Sequence, residues 1–170
     1  MTVPYAKPKP RGMLRLLLRL PPLLYRRGLA RRMGPRFLLP TTTGRRTGLA
    51  RTVGLNYARD GHTVYVISAF GRTDWYRNLV AHPVVEVQVG TERWRGLARP
   101  VSDSIERERA GELFSDQAAV GQGPPPAVRS VLRRLGLDYE AKVCRVRDPG
   151  LELPIVAIER SSSCRGYAAD

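Results

Sequence analysis

The first 59 positions of this 170-residue chain contain no Asp or Glu. Lysine is confined to Lys7, Lys9 and Lys142, and there are only two cysteines and two histidines. Each scarcity removes a class of protein. Cys144 and Cys164 stand at no metal-ligand or redox spacing, which argues against a disulfide scaffold or zinc module and predicts reduced thiols in a cytosolic protein. His62 falls in a turn signal and His82 precedes a proline, so neither is placed as a base or a metal ligand. HxxxH, CxxC, GxSxG and P-loop patterns are missing, and with them the usual hydrolytic sites. No run reaches the ~20 apolar residues of a membrane-spanning helix. An Ala-x-Ala site after an unbroken apolar stretch is also missing, so no secretory signal is expected.

What is present is a chain that is 42% hydrophobic and 26% charged, enough for one domain with a real core. Its net charge of +14 is unevenly placed: 14 of the 29 basic residues precede position 60, and all 15 acidic residues follow it. Such a basic block attracts phosphates, on nucleic acid, anionic lipid or a small cofactor. Residues 1–10 read as a disordered, Pro-rich leader. Over 11–34, Arg11, Arg15 and Arg19 stack on one helical face among leucines. Pro21 and Pro22 then break the helix, and a second piece sets Leu23, Leu24, Leu29 and Met33 against Arg26, Arg27, Arg31 and Arg32. This arm either packs its leucines on the domain or lies on an anionic membrane surface.

From 37 onward the hydrophobic period becomes two. Strands are expected at 37–43, 51–58, 63–69, 84–89, 93–101 and 153–159, with a tight turn at 44–48. Asp74 reads as the N-cap of a short helix over 75–80. Asp103 and Glu106 form a capping-box-like start to a charged helix ending near Phe114, with a loop at 115–126 and a further helix at 127–135. About six strands joined by short turns predict a mostly β, α+β fold, a small antiparallel barrel over 35–160. Residues 161–170 read as a tail. Connections this short leave no room for the crossovers of a parallel sheet.

Thr43, Gly44, Arg45, Arg46, Thr47 and Arg51 are the most informative group. Glycines at 44 and 48 let the backbone turn sharply, and adjacent arginines with hydroxyls suit a phosphate as readily as they suit a solvated turn. A second group, Ser68, Ala69, Phe70, Trp75 and Asn78, offers small residues, aromatics and an amide that either floor a planar ring or plug a barrel end. Acid–base candidates are few. A redox reaction on a bound cofactor needs few of them.

Taken in order, the stretches 37–51, 65–71, 74–79, 82–89 and 153–159 resemble the deazaflavin-dependent nitroreductase family. The likeness is dense over 35–105 and returns at the last strand. It implies a split antiparallel β-barrel related to flavin-binding oxidases. It also implies coenzyme F420 as the cofactor and hydride transfer to a quinone, a nitro compound or another lipophilic acceptor. By the same resemblance Arg45, Arg46, Thr47 and Arg51 hold the cofactor's phosphate and acidic tail, Ser68 polarises the acceptor, and Trp75 and Asn78 line the pocket. Some relatives carry a basic N-terminal helix and associate with the membrane, as 11–34 would allow at the inner face of the cell membrane. Two departures bear on the acceptor. Tyr139 alone stands for a cluster of tyrosines, and Ser68-Ala69-Phe70-Gly71 lacks the basic residue and paired glycines of the best-studied type.

A second reading keeps the barrel and changes the ligand to FMN, haem or a fatty acid, held by a carrier without turnover. A nucleic-acid module fits the charge but lacks any recognised motif, and leucines between the arginines of 11–34 suit lipid or protein better than a groove. No metal is expected. A homodimer through an exposed sheet face, or a monomer held at a membrane, are the expected assemblies.

Overall fold

The computed structural model describes residues 37–68, 71–119, 130, 133–134 and 153–161. The leader, the 11–34 arm, residues 120–126 of the expected loop, most of the expected 127–135 helix, Ala69, Phe70, Tyr139, both cysteines and most of the tail lie outside them. Seven strands form one antiparallel sheet: β1 Leu38–Thr43, β2 Ala50–Thr52, β3 Tyr57–Asp60, β4 Thr63–Ile67, β5 Val84–Val89, β6 Glu92–Pro100 and β7 Ile155–Arg160. Helix α1, Asp74–Ala81, sits between β4 and β5, and α2, Ser104–Ala119, follows β6. The strand order is β2-β1-β5-β6-β7-β4-β3, with every pairing antiparallel.

The sheet closes because residues 50–60 serve two partners. The expected single strand over 51–58 is in fact divided. Its first part follows β1 in one register, Thr41 opposite Thr52 and Leu38 opposite Leu55. Leu38 and Leu55 exchange both backbone hydrogen bonds, at 2.9 and 2.8 Å. Between them Val53 N–H donates to Pro40 O at 3.3 Å, and Pro40 has no N–H to return. After Leu55 the chain leaves β1 and pairs with β4, Tyr57 opposite Val66. The two ends of the sheet are thereby tied into a barrel.

Side-chain alternation then makes two cores. Leu38, Val64, Val66, Val85, Val87, Val89, Trp94, Ala98, Val156 and Ile158 fill the interior, and Leu79 of α1 stops one end with half-buried Trp75 and Tyr76 packed against it. The opposite faces of β3, β4 and β7 send Ala58, Tyr65, Ile155 and Ala157 against Ala110 and Phe114 of α2. β4 and β7 are covered on both faces, which explains their near-continuous apolar sequences. β5 buries one face only and alternates cleanly.

Both helix starts differ informatively. The Asp103 carboxylate accepts from Glu106 N–H at 2.8 Å, as the capping-box pattern predicts. α1, by contrast, is preceded by Thr73 as N-cap, and Asp74 is its first helical residue, because both side chains are engaged elsewhere. α2 also runs on to Ala119 rather than stopping near Phe114. Ser115 Oγ donates back to Gly111 O at 3.0 Å, so this hydroxyl is satisfied inside the helix.

Helix α2 is pinned by ions as well as by Phe114. Arg99 of β6 donates to both Glu106 oxygens at 2.8 Å and to Glu159 of β7 at 3.0 Å, while Tyr65 OH donates to Glu106 at 3.2 Å. Arg109 pairs with Asp60 at 2.8 Å. The Arg99 guanidinium holds the Glu106 carboxyl below its ordinary range, and Arg109 does the same for Asp60. A carboxylate depressed on folding contributes its full stabilisation above its unfolded pKa, and that contribution disappears as pH falls through the folded value. Docking of α2 is therefore expected to weaken below about pH 4. Acid titration followed by near-UV circular dichroism checks this, and Glu106→Gln should flatten the acid limb. An unchanged limb in that variant would remove Glu106 from the account.

Candidate active site

The turn after β1 is built on itself. Gly44 O accepts from Thr47 N–H at 3.2 Å and from Gly48 N–H at 2.7 Å, and Gly44 N–H donates to Leu49 O at 2.9 Å. A Cβ on Gly44 would lie 2.9 Å from Thr47 Oγ1 and 3.1 Å from Leu49 O, so the closeness of this turn requires glycine. Gly48 has φ +66°, a conformation that favours glycine. Across the hairpin, the Thr41 and Thr52 hydroxyls share a hydrogen bond at 2.8 Å.

This turn leans on α1 through one arginine. Asn78, 5% exposed, accepts on Oδ1 from Arg45 backbone N–H at 3.2 Å and from Arg45 Nη1 at 3.1 Å. Its Nδ2 donates to buried Thr42 Oγ1 at 3.4 Å, and that hydroxyl donates to Arg51 O at 3.3 Å. The second guanidinium nitrogen of Arg45, Nη2, meets Asp74 Oδ1 at 3.3 Å. A buried amide left without these partners would cost the full desolvation of its oxygen, so Asn78 fixes the turn as firmly as the turn fixes Asn78.

Just ahead of α1, Ser68 is 1% exposed. Its hydroxyl donates to Gly71 O and meets Thr73 Oγ1 at 2.9 Å, and its backbone N–H donates to Pro154 O at 2.8 Å. Gly71 has φ +72°, which closes this short loop onto the start of α1. Trp75 and Tyr76 stand edge to face, with ring centroids 6.3 Å apart.

The sequence-derived candidates thus divide into three groups. Arg45, Asn78, Trp75 and, through Thr73, Ser68 are brought together at α1 and its start. Thr43, Arg46, Thr47 and Arg51 are exposed along the β1–β2 hairpin, and Gly44 is buried beneath it. Ala69 and Phe70 lie outside the described residues. Three participants were not picked out from the sequence. Thr42 is hidden within a run of three threonines, where strand alternation turns the middle one inward. Thr73 and Asp74 carry the pattern of a helix start, which masks their side chains' other partners. Among the described residues no cluster of His, Cys, Asp or Glu is placed to hold a metal.

The donors left facing outward are the guanidinium groups of Arg46 and Arg51 and the hydroxyls of Thr43 and Thr47. Forked cations beside hydroxyls suit a phosphate or carboxylate-bearing ligand. Residues 26–120, which contain every one of these positions, match the model of the family described as F420H(2)-dependent quinone reductase. The chain belongs to this family. F420H(2)-dependent quinone reductases of two Mycobacterium tuberculosis strains are each 41% identical to it over 95 residues, half of this chain. That match covers 63% of the length of these curated relatives. Among solved structures, an F420-H2 dependent reductase (FDR-A) superposes with a TM-score of 0.50 at 25% identity, covering 73% of this chain and 94% of that one. A protein described as a domain-swapped dimer gives a TM-score of 0.51 at 20% identity, over 81% of this chain and 99% of that one, and shares the fold. The split antiparallel barrel expected from the F420H(2)-dependent reductases is therefore the fold observed, and coenzyme F420 is the cofactor that the family implies.

Proposed function

We propose that this chain is an F420H2-dependent reductase whose acceptor is a quinone. The observation that carries the reading is the β1–β2 turn. Arg45 is locked onto α1 by Asn78, while Arg46 and Arg51 stay exposed beside Thr43 and Thr47. This donor set suits the phosphate and glutamate tail of F420, and rigid attachment to α1 holds that tail at a fixed distance from Trp75 and Ser68. Reduced F420 supplies a hydride which, with one proton from solvent, converts a quinone to the hydroquinone and leaves the deazaflavin oxidised. Trp75, half-buried on the end of the barrel, offers an aromatic surface against which a planar ring can rest. Ser68 is the hydroxyl that the resemblance places at the acceptor; it is 1% exposed and bonded to Gly71 O, so that role requires the 71–73 loop to move aside and free its hydrogen.

Fluorescence titration with coenzyme F420 and, in parallel, FMN tests the cofactor. Oxidation of F420H2 by menadione then tests turnover. Binding of FMN with F420 ignored would overturn the reading, and binding without turnover would favour a carrier.

The basic arm at 11–34 supports a peripheral site of action on the cytoplasmic face of an anionic membrane, where a lipid-soluble quinone resides. None of the described helices is long and apolar enough to cross a bilayer. Vesicles with a third of their lipid anionic are expected to sediment the full chain, and neutral vesicles to leave it in solution. Equal sedimentation with both would reject an electrostatic anchor. Self-association through the outer face of β5 and β6, where Val84 and Leu97 stand opposite each other in the open, is the remaining partner proposed. A monomer in sedimentation equilibrium at high concentration would discard it.

A further inference from the structure

Asp74 is an unexpected neighbour for an anion site. Between residues 37 and 85 the chain has two carboxylates, Asp60 and Asp74, and Asp60 is paired with Arg109 on the α2 side. Asp74 is the carboxylate that reaches the β1–β2 turn through Arg45, where Arg46 and Arg51 are near in sequence. Its contact is selective. Asn78 holds the backbone N–H and Nη1 of Arg45, and Asp74 takes Nη2 alone, at 3.3 Å. The two ends of that ion pair differ in setting. The Arg45 side chain is 23% exposed and that of Asp74 is 69% exposed.

Arg45 therefore has a fixed edge and an exchangeable one. The fixed edge is held by an amide that is itself buried and satisfied. The exchangeable edge is held by a solvated carboxylate that loses little on returning to water, because exposed ion pairs contribute only about 0–1 kcal/mol.

We propose that Asp74 is a built-in competitor for the anion site. Its carboxylate takes the place on Arg45 Nη2 that a phosphate or carboxylate oxygen of the ligand occupies on binding, and yields it without Arg45 moving. Asp74 keeps the guanidinium oriented in the free protein and lowers affinity, so that the bound ligand remains releasable. This rests on the cofactor reading given above, and it makes Asp74 a residue that sets affinity rather than one that takes part in the reaction.

The test is a set of fluorescence titrations of the full chain with coenzyme F420, using wild type, Asp74→Asn, Arg45→Met and the double variant. Thermal melts confirm that each is folded. Asp74→Asn is expected to bind about three- to tenfold tighter than wild type. In the Arg45→Met background the same substitution should change Kd by less than about twofold, since the competition acts through Arg45. Glu108→Gln, which removes an exposed carboxylate of α2, controls for net charge and should leave Kd within about twofold. Unchanged or weaker binding by Asp74→Asn overturns the proposal, as does equal tightening with and without Arg45. If wild type does not bind F420 at all, the cofactor reading falls. Inorganic pyrophosphate, titrated calorimetrically in parallel, then decides the role of Asp74, and equal affinity for it in wild type and Asp74→Asn overturns the proposal.

Discussion

Replacing Arg45 by methionine is expected to weaken binding of coenzyme F420 by about tenfold or more, corresponding to roughly 1–3 kcal/mol for a charge-assisted hydrogen bond. Two losses add together. The ligand loses a guanidinium edge, and the turn loses the Nη1 bond that helps hold it on Asn78. Arg45→Lys separates them. A lysine keeps the positive charge but has no fork to reach Asn78 and an anion at once, so it should recover only part of the affinity. Arg46→Ala, on an exposed side chain, should weaken binding through charge alone and leave the melting temperature unchanged. An affinity within twofold of wild type for Arg45→Met would reduce this residue to a structural tie between β1 and α1.

The largest effect on stability is expected from Gly96→Ala in β6. A Cβ there would lie 2.7 Å from Glu159 O, 2.7 Å from Trp94 Cζ3 and 2.9 Å from Ile158 Cγ2. The Trp94 ring and the Ile158 methyl have some freedom to give way. The Glu159 carbonyl belongs to the backbone of β7, where Leu97 is paired opposite Glu159, and it moves only if the β6–β7 ladder opens. Gly96 does not have a positive φ, so its need is space rather than backbone conformation. Overpacking against an immobile neighbour costs on the order of 2–4 kcal/mol, or roughly a 5–15 °C fall in Tm for a domain of this size. Calorimetry measures it directly. A fall below about 2 °C would mean that β6 shifts to accept a methyl group.

How far the sequence could be read depended on whether the deciding interaction was local. Val84, Val85, Glu86, Val87, Gln88 and Val89 announce β5 by alternation, and the Asp-Gly and Gly-Arg-Arg-Thr-Gly signals place two turns, because both depend on adjacent residues alone. The change of partner near Asn56 was not legible. It depends on residues 57–60 finding β4 across a turn while residues 50–55 lie along β1, a choice of partner that no adjacent residue states. Asn78 was found as a site residue, yet its work in holding Arg45 requires knowing that α1 lies beside the β1–β2 turn. Asp74 reads as a cap by the ordinary helix rule, and its contact with Arg45 is invisible in the sequence because the two stand 29 positions apart. Tyr65 illustrates the same limit on the other face. Its alternation marks it as half-buried, and only the packing of α2 reveals that Glu106 waits for its hydroxyl.

The position of β7 between β6 and β4 has a consequence for how this barrel assembles. Residues 63–67 and 92–100 lie side by side only through residues 155–160, so the neighbours made first wait for a strand made much later. The pairings that do not involve it are those of a four-strand unit, β2-β1-β5-β6, and of the β3–β4 hairpin, and each of these turns an apolar face toward β7 and the core. Closing so long a loop before any of its contacts reward it makes folding slow and exposes unpaired edges to other chains. β7 is the keystone of the barrel, and a nascent chain that stops short of it has two half-structures to protect rather than one domain to use.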